Sequence, residues 1–288
     1  MAPTDLQHWL TDNGYGEIRH RQPLSGGDIC QTAVVDTQSG QTLCIKQHSR
    51  PPADFFAAEA RGLQALRATQ AQTRHPLTIP EVYGWGAQFI VMQYLTPAPR
   101  QPDFWSALGW GLAEIHALPA PFFGFETDNY CGTTPQKNGR YTDGYRFFAE
   151  QRLGVQARMA LDQGHIQAAE LRAIEEIGTR LQDLIPSQPP SLLHGDLWSG
   201  NVHTEDQGLP ALIDPACHYG WAEADLAMTT LFGEFPERFY SAYEEVHSLE
   251  PGWRQRLFIY NLYHLLNHLN LFGGSYYRQV MHTVKRLA

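Results

Sequence analysis

The amino-acid sequence predicts an α+β protein of two lobes, with an antiparallel sheet plus one helix in the first lobe and a larger, mainly helical second lobe. Before residue 96, short segments of alternating side chains are separated by turn residues, which is typical of strands joined in hairpins. Residues 97–102 contain three prolines and form a stiff connector. After it, apolar residues recur with helical spacing. We therefore predict a first lobe at 1–95 and a second at 96–288.

The composition is that of an ordinary globular protein. The 288 residues are 43% hydrophobic and 18% charged, which allows a large core. The formal net charge is −9 and no lysine–arginine cluster is present, so nucleic acid is not an expected partner. The first residues show no basic stretch followed by an apolar run, and five asparagines and histidines interrupt the apolar segment 257–272. We therefore expect no signal peptide and no membrane partner.

The cysteines and histidines do not predict a metal site. The four cysteines include no C-x-x-C pair, which argues against a zinc site and against a disulfide scaffold. His264 and His268 are four residues apart on a predicted helix, but no acidic ligand pattern accompanies them. We expect a monomer in the reducing environment of the cytoplasm.

The first lobe is predicted to alternate strands with turns, and a glycine-bearing loop follows its first strand. The loop carries Gly26 and Gly27, and the backbone N–H groups of such a loop can lie over phosphates. Because it lacks a G-x-G-x-x-G pattern, a plain tight turn is an equal alternative. Thr4 and Gln7 are predicted to cap the first helix. The predicted helices lie at 4–13 and 53–67, and the predicted strands at 17–23, 32–36, 42–47, 79–85 and 89–95.

Lys46 and Glu59 are predicted to form an ion pair between a strand and a helix. Glu59 falls in a helical stripe that also contains Phe55, Leu63 and Leu66. A carboxylate in such a stripe is costly to bury unless a cation meets it. Lys46, thirteen residues earlier on the neighbouring strand, is the natural partner. Taken alone, a strand lysine is more often a solvated edge residue.

The second lobe is predicted to be mainly helical. Asp103 begins its first helix, and a long aromatic and glycine-rich loop at 119–140 follows, of a length that often carries function. Further helices are predicted at 141–161 and 167–184, then a strand at 209–213, and then three helices.

A polar turn in this lobe, at residues 192–201, carries the most informative chemistry. It presents Asp196 and, five residues later, Asn201, and the strand 209–213 then delivers a second carboxylate, Asp214. Phosphoryl transfer from ATP requires this set, a carboxylate to accept the proton of the acceptor hydroxyl and two oxygen ligands for magnesium. Protein kinases use the same Asp-to-Asn interval in their catalytic loop.

Two departures favour a kinase of small molecules over a protein kinase. His194-Gly195-Asp196 replaces His-Arg-Asp, and Asp214-Pro215-Ala216 replaces Asp-Phe-Gly, with no Ala-Pro-Glu segment afterwards. Taken alone, His-Gly-Asp could be an ordinary turn. The intervals to Asn201 and Asp214, together with the predicted Lys46–Glu59 pair, argue against that alternative.

The first lobe supplies residues suited to holding ATP, so ATP and Mg²⁺ are the expected cofactors. A strand lysine beside the glycine-bearing loop suits contact with the α- and β-phosphates. At the end of strand 89–95, the backbone N–H and C=O groups of Gln93 and Tyr94 are expected to be exposed and to face the adenine edge. The residues expected on these grounds to contact ATP or to position its lysine are Lys46, Glu59, Gly26, Gly27, Gln93 and Tyr94.

The chain resembles the fructosamine (ketosamine) kinase family, within the aminoglycoside- and choline-kinase branch of the kinase-like fold. The resemblance covers nearly the whole chain and is closest to bacterial members. Trp198, directly after His-Gly-Asp-Leu, is its most specific residue, because related antibiotic kinases generally lack it. The segments that carry the resemblance are 193–201, 213–216, 225–228, 265–267 and 271–274.

The resemblance implies a bilobal protein-kinase-like fold and ATP-dependent phosphorylation of the sugar 3-hydroxyl in fructosamines or related ketosamines. The unstable 3-phosphate product would eliminate and release the amine, so the role would be deglycation of amines and proteins. By the same resemblance Asp196 is the base, Asn201 and Asp214 hold magnesium, and Trp198 lies against the sugar. Lys46 with Glu59 would position ATP, and Met92, Gln93 and Tyr94 would form the adenine hinge.

The chain departs from the family pattern at two positions. Gln93 replaces a commonly acidic residue in the hinge, where adenine is read by the backbone. Asp28 stands where some relatives carry a redox-active cysteine, with Cys30 two residues later, so a thiol-linked dimer switch is not expected.

Two alternatives to ketosamine phosphorylation remain at the level of sequence. The first is another small-molecule kinase of the same fold, with an aminoglycoside, choline or pentose acceptor. A polycationic aminoglycoside would call for an acidic groove, whereas residues 216–221 are aromatic and largely uncharged, which favours a sugar stacked on rings. The second is a nucleotide-binding pseudokinase, which the complete set of chemical residues disfavours.

Overall fold

A five-stranded antiparallel sheet forms the first lobe. The computed structural model of the protein describes residues 5–24 and 29–287. The glycine-bearing loop, with Gly26 and Gly27, lies outside these described residues. The strands are β1 (Ile18–Leu24), β2 (Gln31–Thr37), β3 (Thr42–Gln47), β4 (Val82–Trp85) and β5 (Phe89–Gln93). Their order across the sheet is β1-β2-β3-β5-β4, so β3 lies at the centre.

Helix α1 (Leu6–Asp12) covers one face of the sheet and packs its buried leucines against Ile45. Asp5 caps this helix, because its side chain accepts the backbone N–H groups of the first turn at 2.8 and 3.3 Å. The predicted capping residue, Thr4, lies outside the described residues.

Helix α2 (Phe55–Gln70) covers the opposite face, where Leu63 and Leu66 belong to the same buried cluster as Ile90. Side chains alternate along a strand. Because Ile45 faces α1, its neighbour Lys46 faces α2. The register of the sheet therefore turns Lys46 towards the helix that carries Glu59.

The second lobe is mainly helical, as predicted, and a π-helical segment interrupts the predicted helix 141–161. Four helices rather than the predicted three follow Asp214, because the glycines at 273 and 274 end a long helix before the last one begins. No helix in the described part of the chain combines the length and apolar character needed to cross a bilayer. The helical elements are α3 (Phe104–Ala117), α4 (Gly144–Phe147), the π-helical Phe148–Gly154, α5 (Val155–Asp162), α6 (Ala168–Thr179), α7 (Leu181–Leu184), the 3₁₀-helical Ser199–Asn201, α8 (Glu223–Leu231), α9 (Glu237–Val246), α10 (Trp253–Phe272) and α11 (Tyr277–Leu287).

Three two-stranded antiparallel sheets position the loops of the second lobe. The predicted loop 119–140 contains a hairpin, β6 (Asn129–Cys131) with β7 (Thr134–Gln136). Strand β8 (Ser191–Leu193) pairs with β11 (His218–Gly220), and β9 (Val202–Thr204) pairs with β10 (Pro210–Leu212). The polar turn therefore lies between β8 and β9, and the second carboxylate lies between β10 and β11.

Candidate active site

The predicted chemical residues of both lobes line one cavity of about 530 Å³. These residues are Lys46, Glu59, Asp196, Trp198, Asn201 and Asp214. Lys46 and Glu59 come from the first lobe, and the other four residues, more than a hundred positions later in the chain, come from the second. The predicted hinge residues 92–94 do not line it.

The predicted Lys46–Glu59 ion pair is present, and Asp214 joins it. Lys46 Nζ lies 2.5 Å from Glu59 Oε1 and also contacts Asp214 Oδ1. The side chains of Lys46 and Glu59 are only 8% and 13% exposed. Burial alone would lower the Lys46 pKa, but the charges of Asp214 and Glu59 together raise it above its usual value. The lysine therefore remains a cation between two carboxylates.

Replacement of Lys46 by methionine is expected to lower the free energy of unfolding by about 1–3 kcal/mol, because Glu59 is left buried without its cation. The double variant Lys46→Met/Glu59→Gln should be more stable than the single variant. Denaturant unfolding of the four proteins in this cycle measures the coupling. Lys137→Met is a matched control, because Lys137 pairs with Asp128 at 2.7 Å in an exposed position and should matter by less than about 1 kcal/mol. Strictly additive losses in the cycle would contradict the interaction.

Asn201 holds Asp196 in place within the polar turn. Asn201 Nδ2 donates to the Asp196 carboxylate at 3.1 Å and to its backbone carbonyl at 2.8 Å. Burial raises the pKa of Asp196 to about 7, and the hydrogen bond from Asn201 partly opposes that rise. A carboxylate with a pKa close to neutrality is suited to accepting a proton during a reaction.

The oxygens of Asn201 and Asp214 fit a hard divalent cation such as Mg²⁺. Because the Asn201 amide nitrogen is committed to Asp196, its Oδ1 remains as the acceptor that can ligate a cation. Asp214 adopts a left-handed backbone, with φ of 56°, which is uncommon outside glycine and concentrates at functional positions. The backbone N–H of Ile213 donates to the Asn201 carbonyl at 3.1 Å, so the two candidate ligands are tied together.

Asp225 anchors the polar turn, a role that the sequence did not predict. This carboxylate of α8 is 1% exposed and accepts the backbone N–H groups of His194 at 2.7 Å and Gly195 at 2.8 Å. His116 Nε2 lies 3.2 Å away on another side. Burial alone would raise the pKa of Asp225, but these hydrogen bonds hold it below its usual value. No spacing rule connects residues thirty positions apart, so local patterns could not predict this contact. The one signal in the sequence was that Asp225 lies in segment 225–228, which carries part of the family resemblance.

Gly195 is required by the same turn. Its φ is +81°, and a Cβ built on it would lie 2.2 Å from the Ala216 carbonyl oxygen. The Ala216 N–H donates to the His194 carbonyl at 2.8 Å, so the turn and the segment after Asp214 run close together. Any larger residue would push the two segments apart, and with them the two carboxylates.

Trp198 begins a group of five aromatic side chains that line the cavity, which we call the aromatic wall: Trp198, Phe232, His268, Phe272 and Tyr276. The Trp198 ring meets Phe232 edge-on at 6.0 Å, and Phe232 lies 4.8 Å from His268. A Cβ on Gly200 would lie 2.3 Å from the Trp198 ring, so this glycine gives the indole its place. Only Trp198 was predicted, because the other members come from the end of α8 and from α10 and its following turn.

The hinge differs from the prediction at one group. The Gln93 N–H donates to the Glu81 carbonyl at 2.8 Å, so it is not an exposed donor, and the prediction for this group was wrong. Gln93 is the last residue of β5, so its backbone still takes part in the hydrogen bonds between antiparallel strands. Met92 is 4% exposed and belongs to the core.

The sequence profile of the fructosamine kinase family matches residues 1–288 of this chain. The chain belongs to the fructosamine kinase family. A protein named as a ketoamine kinase from Synechocystis sp. is 40% identical over 272 residues, which cover 93% of this chain and 90% of the relative.

Solved structures agree with this family membership. A crystal structure named as a fructosamine-3-kinase from Thermobifida fusca superposes with a TM-score of 0.87 at 32% identity, covering 98% of each chain. An aminoglycoside phosphotransferase in a ternary complex with AMP-PNP and hygromycin B superposes with a TM-score of 0.61 at 17% identity, covering 99% of each chain, and shows a shared fold alone. The predicted bilobal protein-kinase-like fold of this family member is confirmed.

Proposed function

We propose that the protein transfers the γ-phosphoryl group of ATP to the 3-hydroxyl of the sugar in a ketosamine, and that this step leads to release of the amine. The observation that carries the proposal is the single cavity on which Asp196, Asn201, Asp214 and Lys46 converge beside the aromatic wall. Membership of the fructosamine kinase family supports the same acceptor class.

In this proposal Asp196 is the general base. Its carboxylate takes the proton of the acceptor hydroxyl as the hydroxyl oxygen bonds to the γ-phosphorus and the bond to the β,γ-bridging oxygen breaks, which releases ADP. Lys46 contributes a fixed positive charge to the phosphates, and Glu59 holds its ammonium group in position. Mg²⁺, when bound by Asn201 and Asp214, would supply further charge neutralisation at the phosphates.

The organisation of the chain completes the proposal. Residues 1–95 form the nucleotide-binding lobe in this proposal, and residues 96–288 form the acceptor lobe. All four cysteines are free, which suits a cytoplasmic protein. We further propose that the protein acts as a monomer.

An ADP-release panel over fructosamine, ribulosamine, erythrulosamine and an aminoglycoside tests the acceptor class. We expect turnover with one or more ketosamines, loss of that turnover in Asp196→Asn, and no stimulation by the aminoglycoside above the rate without acceptor. Phosphorylation of the aminoglycoside in preference to every ketosamine would refute the proposed acceptor, and no turnover with any member would refute this kinase activity.

Trp198→Ala is expected to raise the KM for the ketosamine roughly tenfold, because loss of a ring contact worth about 1.5 kcal/mol corresponds to that factor. The KM for ATP and the thermal midpoint should change little, since the indole is only half-buried. Trp105→Ala provides a matched control, because Trp105 packs at 4.8 Å from Phe235 and does not line the cavity. A Trp198 variant that is destabilised but keeps the parental sugar KM would show that this residue only braces the turn.

A further inference from the structure

Three residues with metal-ligating side chains, from distant parts of the chain, meet beside the cavity. Cys131 comes from β6, Asp196 from the catalytic turn and His264 from α10, and one ligand atom of each lies within 4.8 Å of the others. A thiol, a carboxylate and an imidazole thus converge from three separate elements.

His264 is a buried member of this cluster. The residue is 5% exposed, and its Nδ1 has no hydrogen-bond partner among the described residues. A buried polar atom without a partner is destabilising and is rare in folded proteins. Cys131 Sγ accepts a long hydrogen bond from Asn267 at 3.3 Å and the Asp196 carboxylate accepts one from Asn201 at 3.1 Å, so both groups keep lone pairs for a metal. A metal that takes Nδ1 as its ligand atom would give this nitrogen a partner.

The cluster is accessible from the cavity, because Cys131 and Asp196 both line it. Sulfur, nitrogen and oxygen donors in one set are typical of Zn²⁺, whereas Mg²⁺ takes oxygen donors and water. Zinc–ligand bonds of about 2.0–2.3 Å place tetrahedral ligands roughly 3.3–3.8 Å apart, so ligand atoms that lie within 4.8 Å of one another need to close by at most about 1.5 Å. Rotation of a cysteine and an aspartate side chain can supply a movement of this size.

We propose that Cys131, Asp196 and His264 form an inhibitory zinc site, with a water molecule as the fourth ligand. Zinc binding releases the thiol proton of Cys131 to solvent and coordinates the carboxylate of Asp196. The inhibitory consequence rests on the proposed function, because Asp196 is then unable to accept the proton of the acceptor hydroxyl. Metal binding itself does not depend on that function.

The sequence did not predict a metal site at the cysteines and histidines. The three ligands are separated by sixty-five and sixty-eight residues, so no short ligand spacing is present in the chain. The three ligands come together because the β6–β7 hairpin and α10 pack beside the polar turn.

Cobalt absorption tests the binding, with the metal-free full-length protein titrated by Co²⁺ in the absence of nucleotide. We expect a sulfur-to-cobalt charge-transfer band and the visible bands of tetrahedral cobalt, both displaced by Zn²⁺. Cys131→Ser should abolish the charge-transfer band, and His264→Gln should weaken binding at least tenfold. Cys30→Ser, which removes another thiol of the same cavity, and His268→Gln are the matched controls and should bind as the parent does. Thermal melts verify that each variant is folded.

Absence of the band in the parent, or its survival in folded Cys131→Ser, would overturn the site. Inhibition is then measured at buffered free Zn²⁺ with saturating Mg²⁺ and ATP, each variant being compared with its own zinc-free rate. We expect inhibition that is competitive with the ketosamine and an inhibition constant at least tenfold higher in Cys131→Ser. A cobalt band without zinc inhibition would overturn the inhibitory role. If the acceptor panel finds no kinase activity, the cobalt titration still decides the binding.

Discussion

Asp196→Asn is expected to lower turnover by about two to four orders of magnitude while ATP affinity stays within a few-fold of the parent. The amide has the size of the carboxylate and can still accept the hydrogen bond from Asn201, but it cannot take a proton from the acceptor. Steady-state kinetics and calorimetric titration with Mg²⁺ and ATP separate the two effects. Near-parental turnover in a metal-replete assay would remove Asp196 from the role of base.

The same carboxylate sets the expected pH dependence. Because burial raises the pKa of Asp196 to about 7, the fraction of free enzyme with an ionised base falls as the pH drops through that value. We expect kcat/KM for the acceptor to rise with pH and to level off above neutrality, with a midpoint that shifts lower where a bound cation stabilises the carboxylate. A profile that stays flat down to pH 5 would contradict a base with a raised pKa.

Asp214→Ala is expected to abolish productive use of Mg²⁺ and ATP, with a loss of turnover at least as large as that of Asp196→Asn. The change removes the candidate charged ligand of the cation and also one of the two carboxylates that hold Lys46. A magnesium titration at fixed ATP measures the effect, and Asp214→Asn should recover part of the activity because it keeps one ligand oxygen.

Asp128→Ala is the matched control for this prediction. Asp128 also pairs with a lysine, Lys137 at 2.7 Å, but the pair is exposed and neither residue lines the cavity. Its magnesium dependence should equal that of the parent. If Asp214→Ala also keeps the parental magnesium dependence, Asp214 is not the ligand.

The residues of the candidate site that were predictable share one property, which is that their chemistry follows from local spacing. Asp196 and Asn201 belong to one turn, and Asp214 follows a short strand that leads back to it. The ion pair of Lys46 with Glu59 follows from strand alternation and from helical periodicity, because a carboxylate inside an apolar stripe needs a cation. Each of these inferences uses a repeat length that the backbone imposes on neighbouring residues.

The residues that were missed depend on contacts between elements. Asp225 gave no local sign of its role, because an aspartate in the first turn of a helix is commonly there for the helix itself. In the structure the Asp225 carboxylate is buried and accepts hydrogen bonds from two backbone N–H groups of the polar turn. The Gln93 N–H was expected to be exposed, but β5 keeps its pairing to its last residue. Such outcomes depend on which strands and helices lie side by side.

The sequence alone determined the two-lobed α+β fold, the order of most elements and the identity of the acid, amide and lysine groups, since hydrophobic periodicity and short spacings are properties of the chain itself. Tertiary structure alone decided that Lys46 contacts Asp214 as well as Glu59, that Asp225 anchors the turn, and that an aromatic wall lines the same cavity as Asp196. It also brought Cys131 and His264 to Asp196. These facts require residues separated by about thirty to more than a hundred and fifty positions to meet, and their places are set by the packing of whole elements, which no local pattern encodes.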